Sequence, residues 1–421
     1  MPIRLAQVAQ VAQLDNKPRQ GEPAFDLILV GAGLANGLIA WRLQQQRPTL
    51  RILVLEQAGE MGGNHTWSFH DSDLTAQQRA WIAPLVSHRW PAYRVIFPDY
   101  ERALASAYNS IASSVFACVI GAALGQSLRL NVAVDAITPT SVTLASGETI
   151  TAGAVIDGRG VRSSARLALG YQSFLGQEVR LAAPHGLRTP IIMDASVAQD
   201  GGYRFVYVLP FSADTLLIED THYVDCGHLA PARLRANIAA YAAARGWHIA
   251  ELLREEHGAL PITLAGDMDA YWAELAGQPC SGLRAGLFHS TTGYSLAHAV
   301  RLAERIAAQD DLSAPALFNS IRAEAASQWR AQGFFRLLNR MLFLAGSADQ
   351  RWRVMQRFYR LPAPLIARFY AGALSVADKL RIVSGKPPVP LRAALAAALK
   401  VHPHQIHLHH TNSPGYEHEQ H

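Results

Sequence analysis

Three groups of residues have types and spacing suited to chemistry. The first is a glycine-rich turn, Asp26-Leu-Ile-Leu-Val-Gly31-Ala-Gly33-Leu-Ala-Asn36-Gly37, directly after an apolar run. Gly31 permits a tight turn and Gly33 lets the backbone approach a pyrophosphate. The helix that follows offers free N–H groups and the positive end of its dipole. Asn36 stands where Gly or Ala normally allows close packing of helix on strand. Glu56 comes 25 residues after Gly31, at the end of a second strand. An acid there accepts hydrogen bonds from an adenosine ribose and disfavours a 2′-phosphate. The second group is Gly62-Gly63-Asn64-His65-Thr66-Trp67. Its two glycines let the chain come close to a planar ring or a phosphate, which favours bound FAD over bound NAD. The third is Glu219 and Asp220, which end the apolar run Leu216-Leu217-Ile218. Strand alternation sends them to opposite faces, so only one enters any cavity. Read alone, they fit equally a strand-end acid paired with arginine or solvated.

Other chemistries lack their residues. No Gly-x-Ser-x-Gly elbow follows a strand, and no Walker-type Gly-Lys-Ser/Thr is present. No set of His, Cys and acids has zinc-ligand spacing, so no metal is expected. His65 and His222 could orient a carboxyl or touch a flavin, or be satisfied core or surface histidines.

The elements that must position these groups follow strand–turn–helix–strand logic. Phe25 to Val30 reads as a strand, Leu38 to Gln46 as a helix and Arg51 to Leu55 as a second strand, implying a parallel sheet covered by helices. Ser141 to Leu144 and Glu148 to Ile150 flank Ser146-Gly147 as a hairpin. Ala154 to Ile156 reads as a returning core strand that ends at Asp157-Gly158-Arg159-Gly160. Arg204 to Leu209 and Thr215 to Asp220 read as neighbouring strands of a substrate domain. Helices are expected over Pro231 to Arg245, over Ser295 to Gln309, and through most of the chain from Leu317 onward.

Composition narrows the class. The chain has 421 residues, 50% hydrophobic and 17% charged, which excludes disorder throughout and leaves room for two or three domains. The net charge of +5 alone points weakly to any polyanion. Cys118, Cys226 and Cys280 are far apart and lack CxxC spacing, which fits a reducing compartment. No stretch reaches 18 uninterrupted apolar residues, so no spanning helix is expected. Met1 to Leu14 is broken by Gln7, Gln10 and Gln13, unlike a signal peptide.

Long ordered strings carry a family resemblance. They are Leu27 to Gly37, Gly62 to His70, Asp157 to Gly160, Leu217 to His222, Ser281 to Ser295, Gly333 to Gly346 and Ser384 to Pro390. Over about Phe25 to Pro390 the sequence resembles the bacterial lycopene beta-cyclases of carotenoid synthesis. The resemblance implies an α/β fold: an FAD/NAD(P)-binding, Rossmann-like two-domain flavoprotein with a mixed-sheet substrate domain and a helical C-terminal region. The expected division is an N-terminal arm 1–24, an FAD-binding domain of 25–165 and 280–312, and a substrate domain 166–279. A helical, membrane-facing region 313–400 and a His-rich disordered tail 401–421 complete it.

The resemblance also implies the reaction. Family members are intramolecular lyases that close the acyclic ends of lycopene into β-ionone rings, giving beta-carotene through gamma-carotene. They need reduced FAD, supplied through NADH or NADPH, without net redox change. Gly31, Gly33, Asn36 and Glu56 are expected to hold the ADP part. Asn64, His65 and Thr66 are expected on the flavin side, with Gly286, Leu287, Thr292 and Gly293 at ribityl or isoalloxazine. The stretch Gly286-Leu-Phe-His289 lacks the Gly-Asp of related hydroxylases. Glu219 is the first candidate for the proton-handling acid and Asp220 the second, because an apolar cavity keeps a carboxyl protonated near neutral pH. The rival readings are a flavin monooxygenase or reductase, which would change substrate mass, and a membrane-associated flavin or carotenoid carrier, in which Glu219 is dispensable.

The partners expected are acyclic or monocyclic carotenes and a lipid surface, with no nucleic acid. The resemblance places the protein peripherally on the cytoplasmic side of a bacterial inner membrane. Between Arg330 and Arg368, eight Arg stand against Asp349 alone. Phe334, Leu337, Leu338, Met341 and Leu344 follow helical spacing with Arg336 and Arg340 off the stripe, which suits either an interfacial helix or ordinary packing under a solvated basic face.

Overall fold

The computed structural model describes residues 23–199, 202–225, 229–385 and 389–406. Most of the expected N-terminal arm, Cys226 and the tail from residue 407 lie outside the described residues. The chain begins β1 (Phe25–Val30), α1 (Leu34–Gln46) and β2 (Ile52–Leu55). Next come β3 (Thr66–His70), α2 (Ala76–Ile82), β4 (His88–Trp90), β5 (Tyr93–Phe97), β6 (Tyr100–Leu104) and β7 (Tyr108–Ala112). Helix α3 (Ser113–Leu124) leads to β8 (Leu128–Arg129), β9 (Val134–Thr138), β10 (Ser141–Leu144) and β11 (Thr149–Asp157). The middle holds β12 (Leu167–Leu181), β13 (Ile191–Asp194), β14 (Tyr203–Pro210), β15 (Thr215–Val224), α4 (Pro231–Ala244) and β16 (Ile249–Gly266). Then follow α5 (Met268–Ala273), α6 (Leu296–Ala307), α7 (Ala314–Ala331), α8 (Gly333–Leu344), α9 (Arg351–Tyr359), α10 (Ala363–Tyr370), α11 (Val376–Val383) and α12 (Leu391–Ala398).

The first sheet runs β8-β2-β1-β11-β10-β9, with β1 parallel to β2 and β11. Leu27 to Val30 and Ile52 to Leu55 are all buried, as expected of central parallel strands covered on both faces. The second arm of the expected hairpin, whose first arm is β10, and the returning core strand turn out to be one strand, β11. Its first half pairs antiparallel with β10 and its second half parallel with β1. Helices α1, α3 and α6 close one face of this sheet through Leu38, Phe116 and Val300.

The larger sheet runs β16-β12-β15-β14-β13-β5-β6. It is mixed, because β13 lies parallel to β5 while its other pairings are antiparallel. Residues 93–104, which sequence order groups with the nucleotide-binding segment 25–165, supply its far edge. Every residue of β14 is buried because the sheet is covered twice. Val206, Val208, Leu216 and Ile218 pack towards α4, while Phe205, Leu209, Leu217 and Tyr223 join a core with Phe343, Phe358 and Phe369 of the C-terminal helices. A small third sheet, β3-β7-β4, lies beside them.

Of the two readings of helix α8, the structure shows the packed one, but its basic face is not solvated, because Arg336 and Arg340 are both buried. Phe335, Leu342 and Phe343 are buried, and Leu338 and Leu344 pack against the same core. Arg336 is buried over the Trp329 ring, 3.6 Å from its centroid, and donates to the Trp329 carbonyl at 2.6 Å. Arg340 donates to the Leu264 carbonyl at 2.8 Å and to the Ala398 carbonyl at the end of α12 at 3.1 Å. Its charge there opposes the negative end of the α12 dipole. The expected disordered tail, for its part, starts with a short turn at Pro403–Gln405 against β12 and β16.

Candidate active site

The glycine turn faces a cavity of about 720 Å³, lined among others by Gly31, Gly33, Glu56, Gly63, Gly160 and Ser295. Gly31 has φ +86°, and a Cβ there would lie 3.1 Å from the Gly158 carbonyl oxygen. Only glycine fits that backbone and that approach. A Cβ on Gly33 would meet nothing within 4 Å, so the space before the turn is open. Gly33 also caps α1 without any side-chain hydrogen bond, leaving the helix end to an external anion. At the rim, Glu56 accepts the Ala32 N–H at 2.7 Å and the Ala58 N–H at 2.9 Å. The donor end, the open glycine and the rim acid together fit the ADP half of a dinucleotide.

Asn36 differs from its expected part in cofactor binding. It is 1% exposed, and its amide donates to the Val30 and Gly31 carbonyls at 3.0 and 2.9 Å. Its carbonyl accepts from Ser281 at 2.6 Å. Its polar atoms therefore brace the turn against Ser281, next to Cys280, which bridges to the end of β11 at Asp157. A Cβ on Gly158 would sit 2.3 Å from the Asn36 amide nitrogen, so this pair needs glycine opposite asparagine.

A second cavity of about 270 Å³ adjoins the first, and His65, Trp67, Leu283 and Ser295 line both. Its walls include Phe174, Phe205, Tyr207, Tyr223, Tyr294 and Tyr370, with Glu219 and Glu256 as its acids. Thr66, Thr292 and Gly293 line it as well. Gly293 has φ +71°, and a Cβ would meet that of Leu260 at 2.6 Å. Gly286, Leu287 and Asn64 line neither cavity. Gly286 (φ +74°) packs on Met268 and Leu287 is buried in the core. Asn64 donates to the Glu255 carbonyl at 2.6 Å and accepts from Arg254 at 2.9 Å. These three residues support the site without facing it.

Glu219 and Asp220 do point to opposite faces. Glu219 faces the aromatic cavity and accepts the Thr221 hydroxyl at 2.7 Å. Burial pushes its carboxyl up to about 8, and the nearby Glu256 adds to that rise against the Thr221 hydrogen bond. Asp220 is fully buried on the α4 side. It is held by Arg204 at 2.6 Å, His222 at 2.9 Å and Asn237 at 2.6 Å. Burial alone would raise its carboxyl, but the His222 hydrogen bond and the charges of His222 and Arg204 outweigh it and keep it below the usual carboxylate value. Asp220 is thus sealed from the cavity in an ion-pair cluster, and His222 belongs to that cluster. His65 does reach the site. Partial desolvation, with the charges of Arg254 and His257, holds it below the ordinary imidazole value.

Sequence reasoning missed Glu256, which is 3% exposed. Gly176 of β12 lies opposite Glu219 on one side and Glu256 on the other. The two acids therefore flank a residue with no side chain, two strand spacings or roughly 10 Å apart along the sheet. Arg254 donates to Glu256 at 2.7 Å and to the Thr66 hydroxyl at 2.7 Å. Burial raises the Glu256 carboxyl and Arg254 partly offsets it. The local sequence, Arg254-Glu255-Glu256-His257, reads as a charged run, and it does not reveal which strand lies across.

This arrangement can bind a dinucleotide beside an aromatic chamber whose acid is pushed towards its protonated form by burial. The same fold occurs in distant structures. A geranylgeranyl bacteriochlorophyll reductase-like protein from Thermoplasma acidophilum aligns with TM-score 0.55 at 12% identity, covering 86% of this chain and 96% of its own. The flavin-dependent brominase Bmp2 aligns with TM-score 0.52 at 14% identity, covering 83% and 93%. Nearer relatives share the sequence itself. A lycopene beta-cyclase of Pseudescherichia vulneris is 59% identical over 378 residues, 90% of this chain and 98% of that one. Another, from Paracoccus sp., is 47% identical over 375 residues, 88% and 96%. The profile described as lycopene cyclase protein matches residues 26–396, and with that match the chain belongs to the lycopene cyclase family.

Proposed function

We propose that this enzyme cyclises the acyclic ends of lycopene to β-ionone rings, with FAD in the larger cavity kept reduced at the expense of NADH or NADPH. The observation that carries the reading is Glu219, a carboxyl set among aromatic side chains in a chamber beside a dinucleotide-shaped cavity, surroundings that favour its protonated form. Gly31, Gly33 and the α1 N-terminus would hold the pyrophosphate, and Glu56 the adenosine ribose. The reduced flavin would supply negative charge next to a carbocation.

The chain's own residues account for the proton steps. Glu219 delivers its proton to C2 of a terminal double bond, leaving a tertiary cation at C1. The C5=C6 bond attacks C1 and closes the ring, moving the cation to C5. The Glu219 carboxylate then recovers a proton from C6, so the atoms and electrons of the substrate are rearranged without gain or loss. Tyr207, Tyr223 and Phe205 line the chamber, and aromatic rings favour a cation held away from bulk water. Asp220 takes no part.

The test is anaerobic turnover of lycopene in liposomes with chemically reduced FAD and no NAD(P)H, comparing the intact protein with Glu219→Gln. A product of unchanged mass and ring-type absorption, reduced at least about a hundredfold in the variant, is expected. A product of altered mass would make the protein a flavin monooxygenase or reductase. Lycopene bound but never converted by a folded, FAD-loaded protein would make it a carrier.

A further inference from the structure

Large apolar side chains left exposed are concentrated in one stretch. Among the described residues, seven of eleven fall between 376 and 401. On α11 they are Val376, Leu380 and Val383, at 72%, 64% and 48% exposure. On α12 they are Leu391, Leu395 and Leu399, at 63%, 59% and 77%. The spacings i, i+4, i+7 and i, i+4, i+8 put each set on one helix face. The amphipathicity of α12 is inverted. Ala394 and Ala397 pack on Met341 and Leu344 of α8 and on Ala345 just after it, while the leucines point away. A helix serving only the core would turn its large residues inward.

The charge around these faces has one sign. Residues 361–406 contain Arg368, Lys379, Arg381, Lys386, Arg392 and Lys400 against a single acid, Asp378. Asp378 is neutralised by Arg368 at 2.6 Å. Among the described residues, no ion pair engages Lys379, Arg381, Arg392 or Lys400. A leucine-rich surface rimmed by unpaired cations complements an anionic lipid surface, which offers apolar depth beneath negative headgroups.

We propose that α11 and α12 form the face by which this protein docks on an anionic bilayer. The assignment moves the contact from α8, where the leucine stripe is half-buried against the core and α12, to the helices beyond it. An apolar groove of about 120 Å³ lies behind this face, between Leu338 and Met341 of α8 and Ile382 and Val383 of α11. It reaches Thr291 and Phe369, whose chain neighbours Thr292 and Tyr370 line the Glu219 cavity. A docked bilayer therefore brings its acyl phase to the outer wall of the site, a consequence that rests on the proposed carotene substrate.

Vesicle flotation tests the docking without any turnover. The full chain is mixed with vesicles of phosphatidylcholine alone or with phosphatidylglycerol added. Leu380→Glu/Leu395→Glu/Leu399→Glu is compared with Leu252→Glu/Leu253→Glu, which alters exposed leucines far along the chain on β16. The intact protein and the β16 variant are expected to float with anionic vesicles and to be released by raised salt. The triple variant should bind at least tenfold more weakly while keeping its circular dichroism and its turnover of detergent-dispersed lycopene. Flotation of the triple variant equal to the intact protein overturns the proposal. So does an intact protein that stays with the lipid-free fraction, whether light scattering then shows the leucines joining two copies or removal of residues 1–22 restores flotation. Loss of turnover by all forms with flotation preserved would sink the substrate reading and leave the docking face standing.

Discussion

Glu219 keeps its proton up to about pH 8 because burial and the charge of Glu256 both disfavour the carboxylate. If the protonated form is the reagent, kcat falls as pH rises through about 8. The sign follows from the role, since a general acid is lost on the alkaline side. Glu256→Gln removes the like charge and makes Glu219 easier to ionise. The alkaline limb should therefore move to lower pH, with the fold retained because the amide carbonyl still accepts from Arg254. The pH–rate profile of the two forms, measured with reduced FAD, checks this. An unmoved limb would mean that the two carboxyls do not sense each other across Gly176.

The β14–β15–α4 unit depends on Asp220, whose partners Arg204 and Asn237 come from the neighbouring strand and from the helix above it. Asp220→Ala strips a buried arginine and histidine of their acceptor, at a cost of about 3–5 kcal/mol. Urea unfolding should show that loss, while turnover per folded molecule stays within a fewfold of the intact enzyme. Turnover abolished at unchanged stability would return Asp220 to the reaction. Here the sequence was partly legible. Period-two alternation separated Glu219 from Asp220, and the glycine turn with Glu56 marked the first βαβ unit. Glu256 was not legible, because it meets Glu219 only through their common neighbour β12, and pairing between distant strands leaves no local pattern. The same reason hid β5 and β6 in the larger sheet. Asn36 was misread because a position in a motif does not say whether its polar atoms face inward. Gly158→Ala would test that reading. Its Cβ meets the Asn36 amide, so loss of stability by about 1–3 kcal/mol is expected in thermal unfolding even without cofactor.

Across the whole molecule, periodicity marks an apolar stripe but not what covers it, which is why α8 fitted both an interfacial and a packed helix and α11 and α12 did not stand out. Coverage is decided by the packing of large units on each other, and Arg254 ties two of them together. From β16 it reaches Asn64 at 2.9 Å and Thr66 at 2.7 Å on the segment beside the larger cavity, and Glu178 at 3.2 Å and Glu256 at 2.7 Å on the substrate sheet. One guanidinium thus fixes the wall shared by both cavities, and its fork can serve several acceptors where an ammonium serves them less well. Arg254→Met should leave Glu256 buried without its cation and loosen residues 62–67. FAD binding is expected to weaken about tenfold, roughly 1.4 kcal/mol, and turnover to fall even at saturating FAD because Glu256 then takes up a proton. Arg254→Lys should recover the charge but only part of the FAD affinity. Flavin fluorescence titration and turnover separate the two effects. If both survive in Arg254→Met, the two cavities are held in register by the sheets alone. If only FAD binding fails, the guanidinium serves the cofactor side and Glu256 keeps its state without it.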